Sequence, residues 1–493
     1  MRRKKMKNSI RIVSLLLSLL MFTSAFVSCK KEDGGADTGT NNVSAGTQAD
    51  VDLLADLPTG SYGGYEFRIM TTSHNWATTD MTGGIGTDQF SQATYERNVY
   101  VSEKLGIKIT QEEGSGGDLD NLIRIQVQAG TDEDYDVFWH ALSRVHTLSQ
   151  EGCMYDLTAV DEINLSKPWW YSEFNDAVHI SQKRYALVGS INSVYYGAIG
   201  LCAFNKNLLE QVDKDVDLFE VYTSGKWTWE AMYQLMTKAA EDVDGDGERK
   251  AADDKFGLAI HSNNLMNFLL SANELITEKD KDGLPVYVGP DEGYINTWEY
   301  VVDKISDPNL ACIPGITNGY SEFSSAGGSY TTAFNGNRAL FLLQGAGAYS
   351  RNNDSSVDYG LIGYPKPDES SEYYSPIYYG LSAMCIPSVT KDIHRTGTIV
   401  ENLCAYSYGT VDKAYIESVL YYKYAKDGTS VECIEKAFAC GNVDIAWVCS
   451  WAKIGGTIQS AFQKRNKDVV SLFKGEEDKI KSAIEKMIIF SGR

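Results

Sequence analysis

The sequence predicts an α/β protein of two or three domains with a helical C-terminal tail. Three observations predict it. Short apolar strands alternate with amphipathic helices from Tyr65 onward, and the alternation restarts after about Ser190. From about Val411 the pattern becomes almost wholly helical. The third observation is length: the 493-residue chain holds over four hundred residues beyond Gly60, too many for one small core.

The elements follow in order. Tyr65–Met70 reads as a strand, Gln92–Leu105 as a helix and Ile107–Thr110 as a second strand. Leu119, Leu122 and Ile123 mark another helix, and Tyr135–Trp139 a third strand. This βαβαβ order predicts a mostly parallel sheet with helices on both faces. Ala198–Asn205 opens the second stretch as a buried strand. Trp229, Met232, Tyr233, Met236, Ala239 and Ala240 fall at helical spacing behind Thr228, an N-cap. Strands at Lys255–Ile260, Arg338–Leu343, Asp358–Ile362 and Tyr379–Ile386 follow, then a helix over Asp392–Tyr408. In the tail, Ile480, Ile484, Met487 and Ile488 share one helix face.

The N-terminus carries a different signal. Arg2, Arg3, Lys4, Lys5 and Lys7 precede an apolar run from Ile10 to Val27, the layout of a secretory signal. The run ends in Phe26-Val27-Ser28-Cys29, which resembles the lipobox of bacterial lipoproteins, with Phe26 in place of the usual Leu. The resemblance implies cleavage before Cys29 and a diacylglycerol on its thiol; an uncleaved anchor is the alternative. Residues 1–28 are then a signal peptide. Residues 29–59, rich in Gly, Thr, Asn, Asp and Ala, read as a flexible tether.

Without residues 1–28, 39 Lys and Arg face 66 Asp and Glu, a net charge near −27. So acidic a chain argues against nucleic acid or anionic headgroups as partners. Apart from Cys29 there are eight cysteines, none in a C-x-x-C pair. Several sit inside apolar runs, as Cys202 does, and read as small buried hydrophobes.

The body resembles the extracellular solute-binding proteins of ABC importers, of the carbohydrate-binding type. The resemblance rests on the order of several motifs: Ala93-Thr94-Tyr95-Glu96-Arg97-Asn98, Asp134-Tyr135-Asp136-Val137, Pro168-Trp169-Trp170, Gly225-Lys226-Trp227-Thr228-Trp229-Glu230 and Phe334-Asn335-Gly336-Asn337-Arg338-Ala339. It implies a two-lobe, periplasmic-binding-protein-like (class II) α/β fold with a ligand cleft between the lobes. Lobe one would hold residues 60–192 and 373–425, and lobe two residues 193–372 and 426–493. It also implies a monomer that hands its solute to ABC permease subunits, with a lipid holding it to the membrane.

A sugar offers apolar CH faces and a ring of hydroxyls, so its site needs aromatic faces and bidentate polar groups. The chain has 30 Tyr and 9 Trp. Candidates at expected strand ends are Trp139, His140 and Arg144, then His261 and Asn263. Tyr195 and Tyr196 lie by one predicted lobe crossing, and Tyr378 and Tyr379 by the return crossing. Trp447 and Trp451 occupy the tail, while Trp169 and Trp170 beside Pro168 read as structural.

A second pattern runs Asp242-Val243-Asp244-Gly245-Asp246-Gly247-Glu248, with Asp253 at the twelfth position. It matches the start of an EF-hand loop: Asp242, Asp244 and Asp246 converge on a Ca²⁺, Glu248 offers its carbonyl, and Asp253 closes the set. The ion is expected to brace the loop, not to catalyse. G-x-S-x-G, H-E-x-x-H and P-loop motifs are missing from the sequence. The alternatives are a surface-anchored glycan-degrading enzyme or a calcium-braced adhesion or scaffold protein.

Overall fold

Two separate sheets organise the chain. The computed structural model describes residues 53–72, 81–85, 88–180, 182–191, 194–317, 330–350, 357–378, 380–417 and 428–490.

In the first sheet, β1 (Tyr65–Thr72) pairs in parallel with β2 (Ile107–Gly114) and with β3 (Val137–Ala141). The expected βαβαβ unit therefore forms. Its helices are α1 (Gln89–Leu105) and α2 (Gly116–Ala129). Local chemistry sets their ends. Asp88 caps α1 by accepting from the Ser91 N–H at 2.8 Å, and Ser115 caps α2. Gly106, at φ 63, closes α1 in the left-handed region, where a side chain would be strained, and turns the chain straight into β2. A late strand, β12 (Ser382–Cys385), joins antiparallel to β3, giving the order β12-β3-β1-β2.

The second sheet contains β4 (Gly200–Asn205), β5 (Phe256–Ile260), β8 (Ala311–Cys312), β9 (Ala339–Gly345) and β10 (Tyr359–Ile362) in the order β10-β4-β9-β5-β8. It corrects the expectation that the second stretch repeats the first. β5 runs parallel to β8 and β9, but β4 is antiparallel to both β9 and β10. β4 enters from the first sheet rather than through a crossover helix, so the geometry that enforces parallel pairing does not act on it. A hairpin of β6 (Thr277–Lys279) and β7 (Pro285–Tyr287) projects beside this sheet.

Helix α3 (Leu142–Gln150) follows β3, and α4 (Ser172–Val178) lies further on. Helix α5 (Lys206–Val212) follows β4, and α6 (Trp229–Ala239) packs on β5, capped by Thr228 as its sequence predicts. Helix α7 (Ile393–Ser407) packs on α1. The tail supplies α8 (Gly428–Phe438), α9 (Ile454–Gln463) and α10 (Val469–Phe490). Ile454, Ile458, Phe462, Phe473, Ile480, Ile484 and Met487 join the core over the second sheet. Trp298 stacks on Phe462 at 4.1 Å and donates its indole N–H to the Asn466 carbonyl at 2.8 Å.

Three connecting segments run side by side between the sheets. Ile199 bridges Ile377, the Tyr378 N–H donates to the Ala198 carbonyl at 2.9 Å, and β11 (Ser375–Pro376) pairs with β13 (Gly441–Asn442). Ala198, Ile199, Ile377, Leu381, Val443 and Val448 form an apolar cluster there. Among the described residues no helix is long and apolar enough to cross a membrane.

Candidate functional site

Where the C-terminal ends of β3, β5 and β9 converge, a cavity of about 450 Å³ opens between the two sheets. Ala141, Ser143 and Arg144 line it from the first sheet; His261, Asn263, Asn264, Gln344 and Tyr330 line it from the second. Gly197, Ala198 and Tyr378 form its floor along the connecting segments. A Cβ on Gly345 would lie 2.9 Å from the Gly197 carbonyl, so the two backbones meet only because that position has no side chain.

The polar groups are positioned from behind. His140 Nε2 lies 2.7 Å from an oxygen of Asp120, whose other oxygen takes the Arg144 guanidinium. Arg144 therefore enters the cavity with its charge balanced, its side chain 46% exposed. His261 accepts the Asn263 N–H on Nδ1 at 3.2 Å, which leaves the proton of a neutral ring on Nε2. The loop beneath is braced from α9: Gln459 and Gln463 donate to the Ser262 hydroxyl at 3.1 and 3.3 Å.

Gln344 is only 2% exposed. Its Oε1 accepts the Tyr330 hydroxyl at 3.4 Å, while its Nε2 has no protein partner among the described residues. A buried amide N–H without a partner is costly, and a ligand hydroxyl would satisfy it. Tyr330 packs edge-on against His261 at 5.6 Å. The Tyr378 and Tyr364 hydroxyls meet at 3.3 Å, and burial pushes the Tyr378 hydroxyl well above its usual pKa, keeping it a neutral O–H.

Arg144, His261, Asn263 and Tyr378, all singled out from sequence, thus line one cavity. Trp139 does not. It is 1% exposed within the first sheet's core, because β3 is an inner strand covered on both faces. His140 is fully buried and acts behind Arg144 through Asp120. Tyr195 and Tyr196 pack with Tyr171, Phe174 and Phe438 in an aromatic cluster at the connecting segments. Trp447 is 4% exposed in the second core, against Gly455. Tyr379 and Cys29 lie outside the described residues. Sequence reasoning missed Tyr330, Asn264 and Gln344; a Gln directly after the apolar run Ala339–Leu343 is the available signal.

Asp242, Asp244 and Asp246 place carboxylate oxygens within 4.8 Å of one another. Gly245 and Gly247, at φ 73 and 84, make the turn. Lys250 sets its ammonium against Asp246, so a positive charge already sits at the cluster. The expected closing ligand, Asp253, is exposed and outside the cluster. The buried neighbour Asp254 closes the loop instead, accepting the Val243 and Lys250 N–H groups at 2.8 Å each. The Glu248 side chain is also outside the set, 3.9 Å from Lys250.

A sequence profile of the bacterial extracellular solute-binding proteins matches residues 95–401, well over half of the chain. The chain belongs to that family. As an extracellular solute-binding protein it works on the extracytoplasmic side, and its two-lobe fold recurs in a solved relative. That relative is the ABC substrate-binding protein Lmo0181 from Listeria monocytogenes in complex with cycloalternan, at a TM-score of 0.55 and 14% identity. The match covers 86% of this solute-binding protein and 99% of the Listeria chain. No curated protein is detectably similar in sequence.

Proposed function

We propose that this protein captures a neutral mono- or oligosaccharide between its lobes and delivers it to an ABC permease, without transforming it. The observation that carries this is the cavity wall. Gln344, Asn263, Asn264 and His261 offer amide and imidazole groups to hydroxyls, Tyr330 and Tyr378 offer ring faces, and Asp120 balances the one cation, Arg144. The cycloalternan of the Listeria protein is an oligosaccharide, which supports the reading. Lobes of residues 60–192 with 373–425, and 193–372 with 426–493, would close on the ligand about the three connecting segments. The test is calorimetry and thermal shift of the purified protein across a broad sugar panel. Binding without release of reducing ends is expected. No signal for any sugar sinks the carbohydrate reading, and released ends would make the protein an enzyme.

Two attributes complete the proposal. A lipid on Cys29, with residues 1–28 removed and residues 29–59 as tether, would hold a monomeric binding protein near its permease and raise its effective concentration there. Cys29→Ala is expected to move the protein from the membrane to the soluble fraction. The Asp242, Asp244 and Asp246 carboxylates would hold a structural Ca²⁺, with the Glu248 carbonyl as a further oxygen, bracing the approach to β5.

A further inference from the structure

Beyond the first cavity, α3 borders a second one of about 560 Å³. The two are consecutive on both walls. On α3, Ser143 and Arg144 face the first, while His146, Thr147 and Gln150 face the second, one turn further along. On the opposite wall, His261 and Asn263 face the first, and Ser450, Trp451 and Ala452 face the second. Helix α9 joins these two stretches: it begins just after Ala452 and reaches Ser262 through Gln459 and Gln463. The last turns of α10, with Ser482, form the third side.

The second cavity has its own marks of a site. Ser450, Ala452 and Lys453 hold φ of 52, 51 and 55, so three side-chain-bearing residues within four positions occupy the left-handed region. Such strain persists where the surroundings enforce it, and it gathers at ligand clamps. Here it surrounds Trp451, 5% exposed, which is one of the residues that line the cavity. The His146 Nε2 is buried with no hydrogen-bond partner among the described residues. Burial also pushes that imidazole down to about 4, so at neutral pH it is an uncharged hydrogen-bonding group. Thr147, Gln150, Ser450 and Ser482 add hydroxyls and an amide beside Trp451, and Asp478, Lys479 and Lys486 add charged groups on the α10 side.

We infer that the cleft continues along α3 into a second saccharide subsite, so that the solute is a linear oligosaccharide whose further rings reach Trp451, Thr147 and Ser482. This rests on the carbohydrate reading above. Each cavity falls within the roughly 300–1,000 Å³ of small-molecule pockets, and the pair lies at its upper end, more than a single sugar ring fills.

The experiment is calorimetry of the full folded body against gluco-, xylo-, manno- and galacto-oligosaccharide ladders from one to six units. In the series that binds, affinity is expected to rise about tenfold or more between two and five units. Thr147→Trp and Ser482→Trp, which fill the second cavity from opposite walls, are expected to bring the ratio of long-chain to short-chain affinity close to one. Affinity that stops rising at two units, or a ratio untouched by both variants, overturns the subsite and leaves the carbohydrate reading standing. Binding to no member of any ladder overturns both.

Discussion

Two buried polar sites in this molecule are built in opposite ways. In the first lobe's core, Glu401 is 1% exposed and accepts the indole N–H groups of Trp169 and Trp170 at 3.0 and 2.8 Å. Every group of that trio is satisfied by the protein itself. In the cleft, Gln344 is about as buried, yet its amide nitrogen has no protein partner among the described residues. The core closes its hydrogen bonds, while the cavity wall leaves one open, which under the proposed function a sugar hydroxyl would close.

The largest effect expected from this contrast comes from removing the core acceptor. Glu401→Ala strands two buried indole N–H groups, each costing about 1–3 kcal/mol. Urea unfolding should show a loss of roughly 3 kcal/mol or more. A loss under about 1 kcal/mol would mean that the pair finds other acceptors and the contrast is false.

The next effect is a pH dependence. Burial raises the Glu401 carboxyl to about 7, with the two indoles opposing the shift. Asp412, buried beneath the Tyr171 hydroxyl, is also raised to about 7 by burial. A carboxyl raised on folding stabilises fully below its unfolded pKa, near 4.5 for Glu, and that contribution is lost as pH rises through 7. Wild type should therefore lose melting temperature between pH 5 and 8, and Glu401→Gln, which cannot ionise, should lose less. Equal slopes for the two proteins would refute the assignment.

The cleft side should respond in affinity rather than stability. Gln344→Ala is expected to weaken sugar binding about tenfold, the worth of one good hydrogen bond, while the free protein's unfolding midpoint barely moves. A large drop in stability with unchanged affinity would place Gln344 with Glu401 as a core residue.

The smallest effect belongs to the acidic loop. Millimolar Ca²⁺ should raise the melting temperature by a degree or two, and Asp244→Asn should remove the rise, because stabilisation follows ligand excess over Kd. Identical melting curves with Ca²⁺ and with chelator would end the calcium proposal.

The cysteines illustrate what patterning reveals well. Cys202, Cys312, Cys385, Cys404 and Cys433 are fully buried, as their apolar surroundings indicate, and burial holds the thiols of Cys202 and Cys385 far above their usual pKa. The strands of the first sheet and the caps of α1 and α6 were legible for a similar reason: they depend on residues within a few positions. Cavity-lining residues at the ends of β3 and β5 are half legible. Strand ends were visible in the sequence, so Arg144, His261 and Asn263 could be named. Which side of a doubly covered strand faces a cavity was not visible, so Trp139 was misplaced.

The alternating elements, the acidic balance, the basic and apolar N-terminal stretches and the motif order of the family are legible in the chain alone, because each is written in local composition and spacing. Packing is what reveals that β4 runs antiparallel, that Tyr330 links Gln344 to His261, and that Asp120 neutralises Arg144. Those facts join residues from 14 to 145 positions apart, and which polar group ends up unpaired depends on what packing brings beside it.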